Sequence, residues 1–220
     1  MYMNREVLEQ VLEEIRSMAT EKRRDVSISS ISRCLRESYY NAVMPKEVTV
    51  NMVAGHDRHA FFERHLRELL TERGCICEPE SEVTIGGVKG RADLVCLCGK
   101  QIAVFEFKFT KIPYKLNAYH PFWVRQLRYY VASVMLDTQY TDVKGFLVVS
   151  SFELDHFFVE EVTVDDPHEV EEEARRRGAV LRDALEKNEP PPREKGKHCD
   201  YCVYRQICFN ETLMDNITHT

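Results

Sequence analysis

Apolar positions recur with two different periods along this chain, and the changes of period mark its elements. Over residues 4–18, Val7, Leu8, Val11, Leu12 and Ile15 fall on one stripe, which predicts an amphipathic helix. Ser27 to Ser30 offers N-cap hydroxyls for a helix that should run to about residue 42, carry Cys34 and stop before Pro45. Asn51 starts a long helix over 52–73, closed by Gly74. The pattern then turns β-rich. Residues 82–85, 92–97 and 101–109 read as strands, with Gly86-Gly87 and Cys98-Gly99 as the turns between them. A helix over 121–136, strands over 145–151 and 157–164, and a charged helix over 167–186 follow. Pro190-Pro191-Pro192 then breaks the chain before a cysteine-rich end. This order suits a mixed α/β core. The expected organisation is an N-terminal helical segment (1–50), a core (51–188) and a C-terminal cysteine segment (189–220).

A chain of 220 residues can bury one substantial core. No apolar run approaches the roughly 20 residues of a membrane span, and the first 20 residues are charged and amphipathic, unlike a signal peptide. A soluble, cytoplasmic protein is expected. The net charge of −6 argues against a broadly basic nucleic-acid coat, but its distribution is uneven. Between residues 100 and 128 six basic residues face a single acid, Glu106, whereas 153–189 holds thirteen acids and five basic residues. The centre can therefore present a positive groove, and the run Glu169 to Glu173 reads as a solvated helix face.

Eight cysteines change the picture further. Cys199-xx-Cys202-xxxxx-Cys208 has the spacing of zinc or iron–sulfur ligands, and Cys34 would supply a fourth from the opposite end of the chain. Such a centre would clasp the two ends by closing a loop of 165 positions. Cys75, Cys77, Cys96 and Cys98 read first as buried free thiols in strands, with disulfides as the alternative open to a hyperthermophile.

The middle of the chain carries a second signal. Asp93 closes Gly90-Arg91-Ala92-Asp93 at the start of an apolar strand, and Glu106-Phe107-Lys108 follows thirteen residues later. Residues two apart on a strand share a face, so Glu106 and Lys108 project together while Phe105 and Phe107 point the other way. Charges on an inner face are costly unless paired or metal-bound. Two carboxylates suit Mg²⁺ or Mn²⁺, which would polarise a phosphate and acidify a bound water, with Lys108 orienting that water or stabilising developing charge. The bland alternative is a Glu106–Lys108 ion pair on a solvated strand. His59 and Glu63 share a helix face, as do Gln126 and Tyr130. His59 could add an imidazole ligand, although on spacing alone a surface histidine is the better reading.

Taken together, Gly55-xxx-His59, Gly90-Arg91-Ala92-Asp93, Glu106-Phe107-Lys108 and Gln126-xxx-Tyr130, bracketed by Cys34 and the C-terminal cysteines, resemble the RecB-type branch of the PD-(D/E)XK nucleases. More narrowly, the chain resembles the small CRISPR-associated RecB-like exonucleases. The resemblance implies a restriction-endonuclease-like fold and metal-dependent exonuclease action on single-stranded DNA ends and overhangs, trimming fragments before CRISPR adaptation integrase proteins insert them. It places metal-binding roles on His59, Asp93, Glu106 and the Phe107 carbonyl, the catalytic lysine on Lys108, and the motif glutamine and tyrosine on Gln126 and Tyr130. It places an iron–sulfur cluster, 4Fe-4S or 2Fe-2S, on Cys34, Cys199, Cys202 and Cys208. Ala92 stands where the superfamily pattern has proline, which the RecB-like branch tolerates. DNA contacts are expected from Arg33, Arg36, Lys111, Lys115, Arg125 and Arg128. Tyr114, Tyr119, Phe122 and Trp123 are candidates for base stacking or for core packing. Two alternatives stay open: a stand-alone repair nuclease of the same fold, and a non-catalytic, metal-stabilised binding module.

Overall fold

Gly86 and Gly87, at φ +55° and +75°, turn the chain between the first two strands and seed the sheet. A Cβ on Gly86 would stand 2.6 Å from the Arg175 main-chain nitrogen, so this tip also needs glycine to admit a helix. The computed structural model describes residues 26–44, 50–110, 116–138, 140–151 and 157–210. The helix expected over 4–18 lies outside these residues, as do Lys111, Tyr114 and Lys115.

Helices α1 (Ile28–Ser32), α2 (Leu35–Val43) and α3 (Val50–Glu72) precede strands β1 (Ile76–Ile85), β2 (Val88–Cys98) and β3 (Gln101–Thr110). Then come α4 (Leu116–Asp137), β4 (Val143–Ser151), β5 (Phe157–Val162) and α5 (Pro167–Lys187). A 3₁₀ turn (Lys197–Asp200) and α6 (Arg205–Phe209) follow. The five strands pair in chain order. All neighbours are antiparallel except β3 and β4, which run parallel and are joined through α4.

Helices cover both faces of the sheet. Ile102, Val104, Leu147 and Val149 pack with Leu127 and Val131 of α4, Leu181 of α5, and Ile28 and Ile31 of α1. On the opposite face, Leu94, Cys96 and Phe107 pack against Phe62, Leu66 and Leu70 of α3. The parity of β2 changes at Asp93, because Ala92 joins the first cluster and Leu94 the second. The hairpin therefore twists where Asp93 sits. Opposite it, Glu80 has φ +49°, a left-handed conformation uncommon outside glycine. No helix among the described residues is long and apolar enough to cross a membrane.

Three readings of the sequence need correction. The helix expected over 28–42 is two helices, separated at Arg33 (ψ −177°) and Cys34 (ψ 119°). The side chain of Arg177 explains the break. Its Nε donates to the Ile31 carbonyl at 2.6 Å, giving that carbonyl a partner outside α1. Helix α4 starts at Leu116, not at Pro121, and carries Pro121 inside it, where the ring gives up the N–H that would otherwise bond the residue-117 carbonyl. The strand cysteines are disulfides, not free thiols: Cys75 bonds Cys98 and Cys77 bonds Cys96. Cys77 and Cys96 stand directly opposite in the ladder, a register that the sequence spacing alone could not reveal.

Candidate active site

Four elements converge on one open cleft of ≈ 1000 Å³, whose walls include His59, Asp93, Glu106, Lys108, Gln126 and Tyr130. Strand β3 contributes the central pair. Glu106 and Lys108 are two apart, so both face α4, and their side chains form an ion pair. Glu106 is 1% exposed, and its Oε2 has no hydrogen-bond partner. A buried carboxylate oxygen without a donor is expensive unless a cation satisfies it. Burial is the main reason the Glu106 carboxyl is pushed up to about 7; the Asp93 charge adds to this, and Lys108 opposes it.

Strand β2 brings Asp93 to the same place. Its Oδ2 accepts the Phe107 main-chain N–H at 2.7 Å, and His59 Nε2 lies 3.0 Å from the same atom. Burial works against the charged form of His59, but the hydrogen bond and charge of Asp93, with help from Glu106 and Glu63, hold its pKa above the ordinary value. The His59 ring stands edge-on to Phe107, with centroids 5.7 Å apart, so α3 positions the imidazole by apolar packing. On its other side, His59 Nδ1 is 4.0 Å from Glu63 Oε2.

Helix α4 orients the lysine. Lys108 Nζ donates to Gln126 Oε1 at 3.3 Å, and Gln126 Nε2 donates to Tyr130 Oη at 2.8 Å. Gln126 and Tyr130 are both buried, so this chain of hydrogen bonds fixes the ammonium from behind. The Tyr130 hydroxyl is held well above its usual pKa, first by burial and then by the Glu106 charge. It stays protonated and can act as a donor.

Glu80 is the residue that sequence reasoning missed. Ligand atoms of His59, Glu63 and Glu80 lie within 4.8 Å of one another. Glu80 reaches this wall through its positive φ, and nothing in the local sequence signals that conformation. Its carboxylate also meets Arg91 Nη1 at 3.4 Å.

Four of the DNA-contact candidates are among the described residues. None of Arg33, Arg36, Arg125 and Arg128 is among the residues that line the cleft. Arg33 pairs with Glu37 at 3.3 Å, and Arg36 is buried. Arg125 pairs with Glu173 and donates to the Ser32 carbonyl, while Arg128 borders the acidic side of α5. Of the aromatic candidates, Phe122 is buried, Trp123 packs against the core and Tyr119 Oη donates to the Tyr201 carbonyl at 3.4 Å.

Cys34 lies near the C-terminal cysteines. Cys34, Cys199, Cys202 and Cys208 are all free thiols, and all four border one small cavity. Burial pushes the Cys202 thiol up, with the charges of Glu37, Cys208 and Cys199 adding to the shift.

The solved structure titled "Crystal structure of SSO0001" aligns at a TM-score of 0.55 with 18% identity, covering 92% of this chain and 96% of that one. An alkaline exonuclease (LHK-Exo) from Laribacter hongkongensis aligns at 0.48 with 17% identity, covering 80% and 95%. No curated protein matches the sequence significantly. The family model of the PD-(D/E)XK nuclease superfamily matches residues 6–209, nearly the whole length, and the chain belongs to that superfamily.

Proposed function

We propose that this protein is a metal-dependent DNA exonuclease that trims single-stranded ends and overhangs, and that it prepares fragments for the integrase proteins of CRISPR adaptation. The observation that carries the reading is Glu106: a buried carboxylate with an orphaned oxygen, beside Asp93 and Lys108, on the wall of an open cleft. A solvated ion pair would be exposed on both sides and would leave no such oxygen.

The donor set fits a hard divalent cation. Asp93, Glu106, the Phe107 carbonyl and the His59 imidazole would hold Mg²⁺ or Mn²⁺. When bound, the ion polarises a phosphate and lowers the pKa of a coordinated water. The rest of the chemistry belongs to the chain. Lys108, an ammonium with three donors, is aimed by Glu106 and Gln126 and is placed to stabilise charge developing on the phosphate oxygens. Tyr130 holds Gln126, so the lysine is oriented before substrate arrives. Hydrolysis adds the water oxygen to phosphorus, breaks one phosphate ester bond and leaves the departing sugar oxygen protonated.

The four free cysteines fit an iron–sulfur cluster, which would join Cys34 of the N-terminal segment to Cys199, Cys202 and Cys208. Its role would be structural, since α2 and the cysteine segment flank the core without entering the cleft. The central test is cleavage of end-labelled single-stranded DNA by anaerobically purified protein, with Mn²⁺ or with EDTA, beside Lys108→Ala. Shortening that needs metal and is lost in the variant supports the reading. Intact DNA in every lane from a folded protein overturns it.

A further inference from the structure

The geometry points to a second substrate contact in the same cleft, a subsite for a backbone phosphate of the nucleic acid built around Lys89. The inference rests on the nuclease reading above and adds a residue that no sequence motif singled out. Lys89 and Arg91, two apart on β2, share one face, and both line the cleft together with Asp93, where the parity of the strand changes. Asp93 marks the reaction centre. Strand geometry places Lys89 roughly 13 Å from it, the length of about four stacked nucleotides or fewer extended ones.

The basic side chains of this cleft differ in how they are engaged. Lys108 is held by Glu106 and Gln126, and Arg91 by Glu80. Lys89 is exposed, and no carboxylate among the described residues pairs with it. Glu82 also lines the cleft but makes no ion pair with Lys89, and the positions paired with Lys89 carry hydroxyls. Thr84 is its direct partner across the hairpin, and Ser27 bridges it from the chain just before α1. Ser27 and Ser29 both line the cleft, with their Oγ atoms 3.0 Å apart. An ammonium with no counter-ion among the described residues, on a cleft wall shared with Ser27, Ser29 and Thr84, suits a phosphate oxygen, and such contacts fix register without reading sequence.

The approach of these hydroxyls is built into the fold. A Cβ on Gly90 would stand 2.8 Å from Ile28 Cβ. Only glycine lets α1 press this closely onto β2, and the same contact holds Ser27 and Ser29 at the cleft wall. Thr84 is fixed from behind, because its main-chain N–H and carbonyl both meet Ser133 Oγ, at 3.2 and 3.0 Å.

The test compares oligothymidylates of 3 and 12 nucleotides with the Mn²⁺-loaded protein. Wild type should prefer the 12-mer, and in Lys89→Gln that preference in kcat/KM should fall about tenfold, chiefly through KM for the 12-mer. An unaltered length preference overturns the proposal. A parallel measurement separates it from the nuclease reading. In EDTA, the salt dependence of binding a labelled 12-mer should lose about 0.7 of its log–log slope in Lys89→Gln. If that slope falls but neither oligomer is cut, the subsite stands and the cleavage reading fails. If the slope is unchanged, or wild type does not bind, the subsite is refuted whatever the cleavage assay gives.

Discussion

The carboxylate of Asp93 accepts the main-chain N–H of Phe107 at 2.7 Å, where β2 separates from β3. Ladder pairing between these strands stops at Leu94 and Phe105, so the side chain stands in for a strand partner that the amide would otherwise lack. Asp93 thus has a structural duty besides any metal-binding one, and two substitutions should separate them. Asp93→Asn keeps an acceptor for the amide and removes the charge. It should abolish cleavage and leave the melting temperature close to wild type. Asp93→Ala also strands a buried donor and should cost a further 1–3 kcal/mol or so in denaturant unfolding. Equal stability of the two variants would show that the hydrogen bond contributes nothing.

Glu106 gives a pH dependence of defined sign. Its carboxyl is pushed from the ordinary 4.5 up to about 7 in the folded, metal-free protein. A group whose folded pKa is raised favours the folded state fully below its unfolded pKa, and that favour disappears as pH rises through the folded value. In EDTA, the protein should therefore lose stability between about pH 4.5 and pH 7. Thermal melts at pH 5.0 and 7.5, for wild type and Glu106→Gln, isolate this residue from others that titrate in both proteins. Wild type should fall more steeply, and added Mn²⁺ should restore it at pH 7.5 but not in the variant. Parallel pH profiles would remove Glu106 from the account.

Local chemistry made much of this site legible. Two adjacent glycines mark a hairpin whatever surrounds them, and the strand period fixes that Glu106 and Lys108 share a face. The i, i+4 relation of Gln126 and Tyr130 is likewise a property of the helix, although only the fold shows Lys108 at its end. Other features depend on partners distant in sequence. The break at Cys34 needs Arg177, over 140 residues away, to take carbonyls at that turn. Arg125 looks like a phosphate ligand until Glu173 and the Ser32 carbonyl appear beside it. Glu80 enters the cleft through a backbone angle that its residue type does not favour, and Lys89 is a lysine like any other until α1 surrounds it with serines. Spacing read four cysteines as metal ligands and the other four as free thiols in strands; only the β1–β2 register pairs the latter as two disulfides.

Those two disulfides are nested. Cys77–Cys96 spans 19 positions and Cys75–Cys98 spans 23, two rungs apart on one hairpin with the Ile76–Leu97 pair between them. Closing a loop of this size stabilises a protein by about 3 kcal/mol through the unfolded chain, but the second bond closes only the short remainder. Removing one pair by Cys→Ala substitution should therefore cost clearly less than half of what removing both costs. Denaturant midpoints for the two pairwise variants and the fourfold variant measure this directly. Strict additivity would mean that the bonds act through native contacts under α3 and not through loop closure.

Arg177 ties three parts of the chain together without any cofactor. Its Nη1 donates to Glu194 Oε1 at 2.8 Å, just before the cysteine segment, while its Nε holds the Ile31 carbonyl at the end of α1. Glu194 in turn accepts the Leu35 main-chain N–H at 3.4 Å, and Tyr204 Oη reaches Asn41 at 3.0 Å. The two segments that bear the free cysteines are thus fastened to each other by hydrogen bonds. Arg177 is largely buried, so truncating it leaves Glu194 and a helix-terminal carbonyl without their partner. Arg177→Ala should destabilise the protein by about 3 kcal/mol, more than the exposed pair Lys187–Asp183 could account for. It should also expose Cys34, seen as faster reaction of that thiol with a maleimide in protein prepared without iron. If Cys34 stays as protected as in wild type, the hydrogen-bonded clasp is secondary, and the cysteine segment is held mainly by its apolar contacts through Tyr40 and Tyr204.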